Sequence, residues 1–295
     1  MIECVPNLSE GRDENTVGQI ADAVRGAGCR VLDTHTDPDH HRSVLTIVGE
    51  PPDVVRGVLA MVEAAIQRID VRTHRGAHPR MGAVDVVPFV PLEGSSMAEC
   101  IAVAEEVGRK IGDQFEIPVY MYEEAASRED RRNLASVRRG GLSAIAERID
   151  TDEGRPDFGP ARVHPSAGAA AVGARGFLVA YNVNLATADV EVAGAIASAI
   201  RASNGGLPGV KALGILLRSR GIAQVSMNLT DIEATTVAEA FECVANEAER
   251  RGVSVLESEI VGLVPRAALG EATTEDLLLA RTLADLILER RIEAG

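Results

Sequence analysis

Residues 43–69 read SVLTIVGEPPDVVRGVLAMVEAAIQRI. Ser43–Val48 is β-branched and aliphatic, and too short for a helix, so it reads as a strand. Pro51-Pro52 then opens a helix running to about Ile69, because proline suits a first helical turn whose N–H has no partner to find. Outward toward the N-terminus, Ile2–Val5 and Arg30–Leu32 are strand-like. Between them a helix from about Asp13 to Gly26 puts Val17, Ile20, Ala21 and Val24 on one face. Outward toward the C-terminus, DVVPFVPL (85–92) is a short apolar run whose prolines place it at a sheet edge or strand end. Ser96 with Glu99 is a capping box for a helix carrying Met97, Ile101, Ala104, Val107 and Ile111. Val119–Tyr122 is a further strand, and the Arg- and Asp-rich segment 128–149 is expected to be a solvated helix.

Between about Asp150 and Gly168 the Gly, Pro and Asp content rises and both periodicities vanish. A loop this long inside a compact protein is functional or a linker. The pattern restarts with strand Phe177–Leu185, a helix from Val190 to Arg201, the Gly205-Gly206 loop, and strands at Ala212–Leu217 and Ala223–Leu229. Thr236 with Glu239 caps a helix bearing Val237, Ala240, Phe241, Val244 and Ala248. A strand near Val253–Leu256 and a terminal helix with Leu279, Leu283 and Leu286 inward complete the chain. The expected class is α+β with two subdomains, residues 1–174 and 175–295. Each runs strand–helix–strand–strand–helix–strand, a mostly antiparallel sheet with helices on one face.

Composition narrows function by exclusion. A net charge of −14 repels nucleic acid, and 3% aromatics without tryptophan leave few stacking faces. Lysine occurs only at Lys110 and Lys211, so lysine-nucleophile chemistry has few candidates. Cys4, Cys29, Cys100 and Cys243 are scattered, which indicates neither a zinc ribbon nor a disulfide framework. The opening MIECVPNLSEGRDEN is not signal-like, and no apolar run of ~18 residues occurs, so a cytoplasmic protein without a membrane span is expected.

Five of the six histidines, His35, His40, His41, His74 and His78, fall in one stretch. A metal site on His74 and His78 would need a helix, which Gly76 and Pro79 oppose, and no metal is expected. The plain alternative is loop histidines without a role. The third is a general acid/base, since imidazole titrates near neutral pH. The string RGAHPRMG (75–82) favours that role for His78, held in a Gly/Pro-restrained loop with Arg75 and Arg80 adjacent and Arg72 and Arg42 as further candidates nearby. Those arginines suit a substrate bearing carboxylates, which guanidinium grips with two parallel N–H bonds. No GxSxG or phosphate-loop pattern occurs, and the glycines of GAAAVGARG (168–176) precede a strand, so a dinucleotide site is not expected.

Ordered blocks then become specific: ECVPNLSEGRD (3–13), HRSVLTIVGEP (41–51), HRGAHPRMGAVDVVPFVP (74–91), PVYMYEEAA (118–126), PDFGPARVHPSAGAAAVGARGFLVAYNVNL (156–185), AQVSMNLTD (223–231) and VGLVPRAAL (261–269). Together they resemble the glutamate formimidoyltransferase family from Glu3 to about Leu269. The resemblance implies a folate-dependent transferase that moves a formimidoyl group between formimidoylglutamate and tetrahydrofolate in histidine breakdown. It further implies two βαββαβ-like halves with a folate groove between them, and a homodimer. The family's catalytic histidine lies in a GEHPRMG motif, so its role falls on His78, with Ala77 in place of the glutamate. A family aspartate aligns with His35, leaving His35 or Asp37 as catalytic support. The folate-binding segment falls on Pro156, Asp157, Phe158, Gly159, Pro160, Ala161, Arg162, Val163, His164 and Pro165. Arg42, Arg75 and Arg80 are the candidates for the glutamyl carboxylates, and tetrahydrofolate is a co-substrate. Relatives with a fused cyclodeaminase extend beyond Gly295, so that activity is expected elsewhere. The readings kept beside this one are a formyl transferase acting on formylglutamate and a non-catalytic folate-binding protein.

Overall fold

The computed structural model describes residues 1–76 and 80–294. It divides into two compact units, Met1–Arg175 and Gly176–Gly295. The first unit begins with β1 (Ile2–Cys4), β2 (Asn7–Leu8), α1 (Glu14–Gly26), β3 (Arg30–Asp37), β4 (Arg42–Gly49) and α2 (Pro51–Ile66). It continues with β5 (Val84–Pro91), α3 (Met97–Phe115), β6 (Val119–Glu123), α4 (Leu134–Val137), α5 (Gly141–Arg148) and β7 (Ala170–Ala174). The second unit holds β8 (Val179–Leu185), α6 (Val190–Ile200), β9 (Val210–Leu217), β10 (Ile222–Leu229), α7 (Val237–Arg250), β11 (Val255–Val261), α8 (Leu283–Leu286) and α9 (Leu288–Ala294).

The helices start where side chains can satisfy the first N–H groups. Asp13 accepts from Asn15 and Thr16 N–H, and Val17, Ile20, Ala21 and Val24 of α1 are all buried. Both capping boxes form, Ser96 with Glu99 on α3 and Thr236 with Glu239 on α7. On α3 the buried stripe runs through Cys100, Val103, Ala104, Val107 and Ile111, leaving Met97 and Ile101 only partly covered. Burying each large side chain of this core, such as Phe89 or Ile47, contributes about 1.5–3 kcal/mol.

One frame recurs in both units. The second sheet has the order β11-β8-β10-β9, antiparallel throughout. In the first, β5 pairs with β1 and β2, these pair with β4, and β4 pairs with β3, again antiparallel. Numbered within each frame, the order is fourth-first-third-second both times. The first unit then adds β7 and β6, parallel, on the outer side of β5.

That addition corrects the edge placement expected for residues 85–92. β5 is interior because β7 covers what would be the frame's edge. Pro88 is tolerated because its carbonyl accepts Val5 N–H where β1 gives way to β2. N–H and C=O of a strand residue point to the same side in an antiparallel pair, so the missing N–H faces that break. GAAAVGARG is likewise corrected: Ala170–Ala174 is the buried strand β7, not a glycine loop preceding a strand. Segment 128–149 is not one solvated helix. It folds as a short 3₁₀ turn, α4 and α5, and packs Val137, Ile145 and Ile149 with Met81, Val86, Tyr120 and Tyr122 on the sheet's second face. The first unit therefore carries helices on both faces. The terminal helix is also split, since Ile287 is extended and bridges to Val264, and Leu279 lies before it, bridged to Ser258. No helix among the described residues is long and apolar enough to cross a membrane.

Candidate active site

Chemistry-bearing residues of the first unit gather where the β3–β4 turn meets the loop between α2 and β5. Asp37 accepts the His40 N–H at 2.8 Å and closes that turn, with His41 at a positive φ of 50°. The His41 ring stacks on His74 with centroids 3.7 Å apart. Its Nδ1 lies 2.9 Å from the Arg75 carbonyl and its Nε2 3.2 Å from Glu10. Burial alone would raise the Glu10 carboxyl. The N–H groups of Asp13, Arg12 and Gly11, together with His41, draw it below its ordinary range instead. His74 is buried, and its Nε2 lies 2.7 Å from the His41 carbonyl and 2.9 Å from Arg80 Nη1. One nitrogen cannot donate to the first and accept from the second, so its tautomer selects between them.

Glycine clamps this loop on both sides of the HPR string. A Cβ on Gly76 would fall 2.3 Å from the His40 carbonyl oxygen, and one on Gly82 would fall 1.9 Å from that of Ala169. Only glycine permits so close a backbone approach. Backbone bonds then stitch the ends to residues 164–169: Val71 N–H to Ser166, Ala83 N–H to Ala167, and Ala169 N–H to Met81. The interval between the clamps contains His78, which lies outside the described residues together with Ala77 and Pro79.

Asp85, at the start of β5, is a buried carboxylate. Asp85 accepts the Met81 N–H at 2.7 Å and Arg138 Nη2 at 2.6 Å, and Arg42 Nη1 lies 3.3 Å away. Arg42 also places Nε and Nη2 on Asn7 Oδ1 at 2.9 and 2.6 Å. Burial lowers the Arg42 guanidinium to about 10; Asp85 opposes the shift, and Arg138 and Arg80 add to it. Of the other carboxylate-binding candidates, Arg80 is half-buried against His74, whereas Arg75 is exposed and turned onto the His74 carbonyl.

The segment Pro156–Pro165 is built into the unit. Val119 and Phe158 form a bridge, and Asp157 accepts Met121 N–H at 2.7 Å and Ser127 Oγ. Arg131 pairs with Asp157 at 2.6 Å, both side chains at or below 10% exposure, and also donates to the Glu153 and Arg155 carbonyls. Phe158 packs on Gly108 of α3 under Arg109, and Gly159 lies so close to Gly112 that a Cβ there would be 2.5 Å from its nitrogen. Arg162 makes an exposed pair with Glu116, while Gly159 and Ala161 face solvent. His164 Nδ1 accepts the Ser166 and Ala167 N–H groups, which puts its hydrogen on Nε2. Burial, opposed by Glu116 and aided by Arg162, lowers this imidazole below 6.5.

The structure thus brings Arg42, Arg80 and Asp37 to the ends of the clamped loop. His35 sits half-buried on β3 opposite Val44. Among the described residues no group of three His, Cys, Asp or Glu side chains is arranged to hold a metal ion. Sequence reading missed Asp85, Arg131 and Arg138, whose ion pairs join positions 53 and 26 residues apart. The ambiguity of an arginine-rich segment hid the two arginines.

Comparison with known proteins agrees with this layout. Residues 1–175 match the model of the formiminotransferase domain, N-terminal subdomain, and residues 180–282 match that of the formiminotransferase domain. The chain is 46% identical to a glutamate formimidoyltransferase of Thermoplasma acidophilum, covering 99% of this chain and 97% of that one. It is 42% identical to a glutamate formimidoyltransferase of Streptococcus pyogenes, covering 91% of this chain and 90% of that one. Against a formimidoyltransferase-cyclodeaminase of Rattus norvegicus it is 41% identical over 92% of its own length, but spans only 51% of the relative. By family models spanning nearly its whole length and by these relatives, the chain belongs to the formiminotransferase family.

Proposed function

We propose that this protein is an enzyme that transfers the formimidoyl group of N-formimidoyl-L-glutamate to tetrahydrofolate, with His78 as the proton carrier. The observation that carries the reading is the 46% identity to a glutamate formimidoyltransferase across 99% of the chain. In sequence His78 stands between Gly76 and Gly82, two glycines that permit close backbone approach at their own positions.

The formimidoyl carbon is amidine-like, bonded to the glutamate nitrogen. Tetrahydrofolate N5 attacks it, forming one C–N bond and a tetrahedral centre. N5 must shed a proton, and the glutamate nitrogen must gain one as its own C–N bond breaks. One imidazole takes the first proton and returns it to the second site, leaving the enzyme unchanged after turnover. Such proton carriage contributes about 10²–10⁴-fold to rate. Positioning adds the rest: Arg42 and Arg80 offer charge to the glutamyl carboxylates, and the Pro156–Pro165 segment offers a face to folate. His35 and Asp37, on β3 where it enters the turn to β4, lend support to that geometry. The products are 5-formimidoyltetrahydrofolate and glutamate.

The test is a side-by-side assay of formimidoylglutamate and formylglutamate with tetrahydrofolate. Turnover with the first, exceeding that with the second by about 100-fold, is the expected result. Equal or inverted preference, or binding of tetrahydrofolate without transfer, contradicts the reading.

A further inference from the structure

Of the histidines gathered in the first unit, His41 has a setting that proton carriage by His78 leaves unexplained. Its two ring nitrogens face two acceptors: Nδ1 lies 2.9 Å from the Arg75 carbonyl, and Nε2 lies 3.2 Å from Glu10 Oε1. A carbonyl only accepts. Against its burial, the N–H groups of Asp13, Arg12 and Gly11 on the same Oε1 hold Glu10 ionised, so it only accepts as well. A neutral imidazole carries one hydrogen and keeps one of these bonds; the ring makes both only with hydrogen on each nitrogen. The His41 and Glu10 side chains are 12% and 16% exposed, so solvent screens their attraction little. The other charged and titratable groups around the ring are His74 stacked on it, Arg80 on His74 Nε2, Arg75, and Arg12 on the Pro38 carbonyl. Asp37, Asp39, His40 and Arg42 stand beside it in its own turn and strand.

The bridge joins two connections that are far apart in sequence: Glu10 precedes α1, and Arg75 lies between α2 and β5. The same junction is closed by packing. His74 Nε2 lies 2.7 Å from the His41 carbonyl, and a Cβ on Gly76 would fall 2.9 Å from His41 Cβ. We propose that Glu10 and His41 are positioning residues of the transfer reaction: the ring, with hydrogen on both nitrogens, ties Arg75 to Glu10 and fixes the backbone three positions before His78. The assignment rests on the reading of His78 as the proton carrier, and it adds the groups that hold the chain leading to it. Both residues act through the Arg75–Gly76 backbone and not on the substrate. Loss of either ring hydrogen releases Glu10 or Arg75, so the hold weakens as pH rises.

The experiment compares the full-length parent with His41→Gln, whose amide donates to one acceptor and does not titrate. Steady-state kinetics with formimidoylglutamate and tetrahydrofolate are followed from about pH 6 to about pH 8.5. The ratio of parent to variant kcat cancels the titration of groups the two chains share. That ratio is about 10- to 100-fold at the acid end, the scale of a misplaced reacting group, and shrinks to about threefold or less at the alkaline end. KM for formimidoylglutamate stays within about threefold. Glu10→Gln keeps an oxygen that accepts from the ring, falls between the parent and His41→Gln, and serves as the reporter should the latter not fold. A ratio that is constant across this range would overturn the proposal, as would a loss confined to KM or a kcat within about twofold of the parent at every pH. Urea midpoints of the same chains read the bridge without turnover, and the gap between parent and His41→Gln narrows as pH rises. A gap that does not narrow removes the bridge. Should the gap narrow while the parent transfers nothing from formimidoylglutamate, the transferase reading fails and the bridge stands.

Discussion

The two units share a frame and differ in what has been added to it. Both order their four frame strands alike, with β11 at one end of the second frame and β5 its counterpart in the first. In the second unit the face away from the helices is finished by an amide–carboxylate row: Asn182 to Glu259, and Asn184 to Glu257 and Gln224. In the first unit β5 gains β7 and β6, and the insertions around them bury Arg131 with Asp157 and Arg138 with Asp85. The frame needs only apolar alternation and caps. Buried charges held by long-range partners appear where strands and loops have been inserted, and that is where the candidate chemistry lies.

If this contrast is right, substitutions should hurt most where inserted charges are buried. Arg131→Ala leaves Asp157 buried and unpaired and costs about 3–5 kcal/mol, measured by chemical denaturation of the first unit's transition. The exposed Arg162–Glu116 pair is its counterpart, and Arg162→Ala changes stability by less than about 0.5 kcal/mol. Next in size is Gly82→Ala, whose Cβ would collide with the Ala169 carbonyl and costs about 1–3 kcal/mol or more. Gly194→Ala on α6 meets nothing within 4 Å and stabilises by about 0.5–1 kcal/mol through helix propensity. Where the units are alike the effects should match: Ser96→Ala and Thr236→Ala each remove a capping box and each cost about 1 kcal/mol.

The smallest effect is a pH dependence. His164 is held below 6.5 in the folded chain, so between its folded value and 6.5 the unfolded chain binds more protons. Stability from this group therefore rises with pH through that window, is complete above 6.5, and is lost as pH falls through the folded value. His164→Asn, with an amide that still accepts from Ser166 or Ala167 N–H, flattens the slope in that window. An unchanged slope in urea titrations between about pH 5 and about pH 7 would remove this account.

Much of the frame was legible because its signals are local. Asp13, Pro51-Pro52, Ser96 with Glu99 and Thr236 with Glu239 each mark a helix start from a few adjacent residues. β7 was not legible. Ala170–Ala174 is buried throughout, so it shows no alternation, and its small residues mimic a glycine loop. The central position of β5 was hidden for a related reason: Pro88 points to an edge unless the β1–β2 break opposite it is known. At the candidate site, Gly76 and Gly82 stand out beside His78 in sequence. Asp85 and Arg138 do not, because an ion pair spanning 53 positions leaves no local mark.

Turnover of formimidoylglutamate with tetrahydrofolate by His78→Ala, compared with the parent chain at saturating substrate, is the measurement on which the account turns. A folded variant with unchanged glutamate binding and kcat lower by about 10²–10⁴-fold is the expected result. A folded His78→Ala chain that keeps full turnover would contradict it.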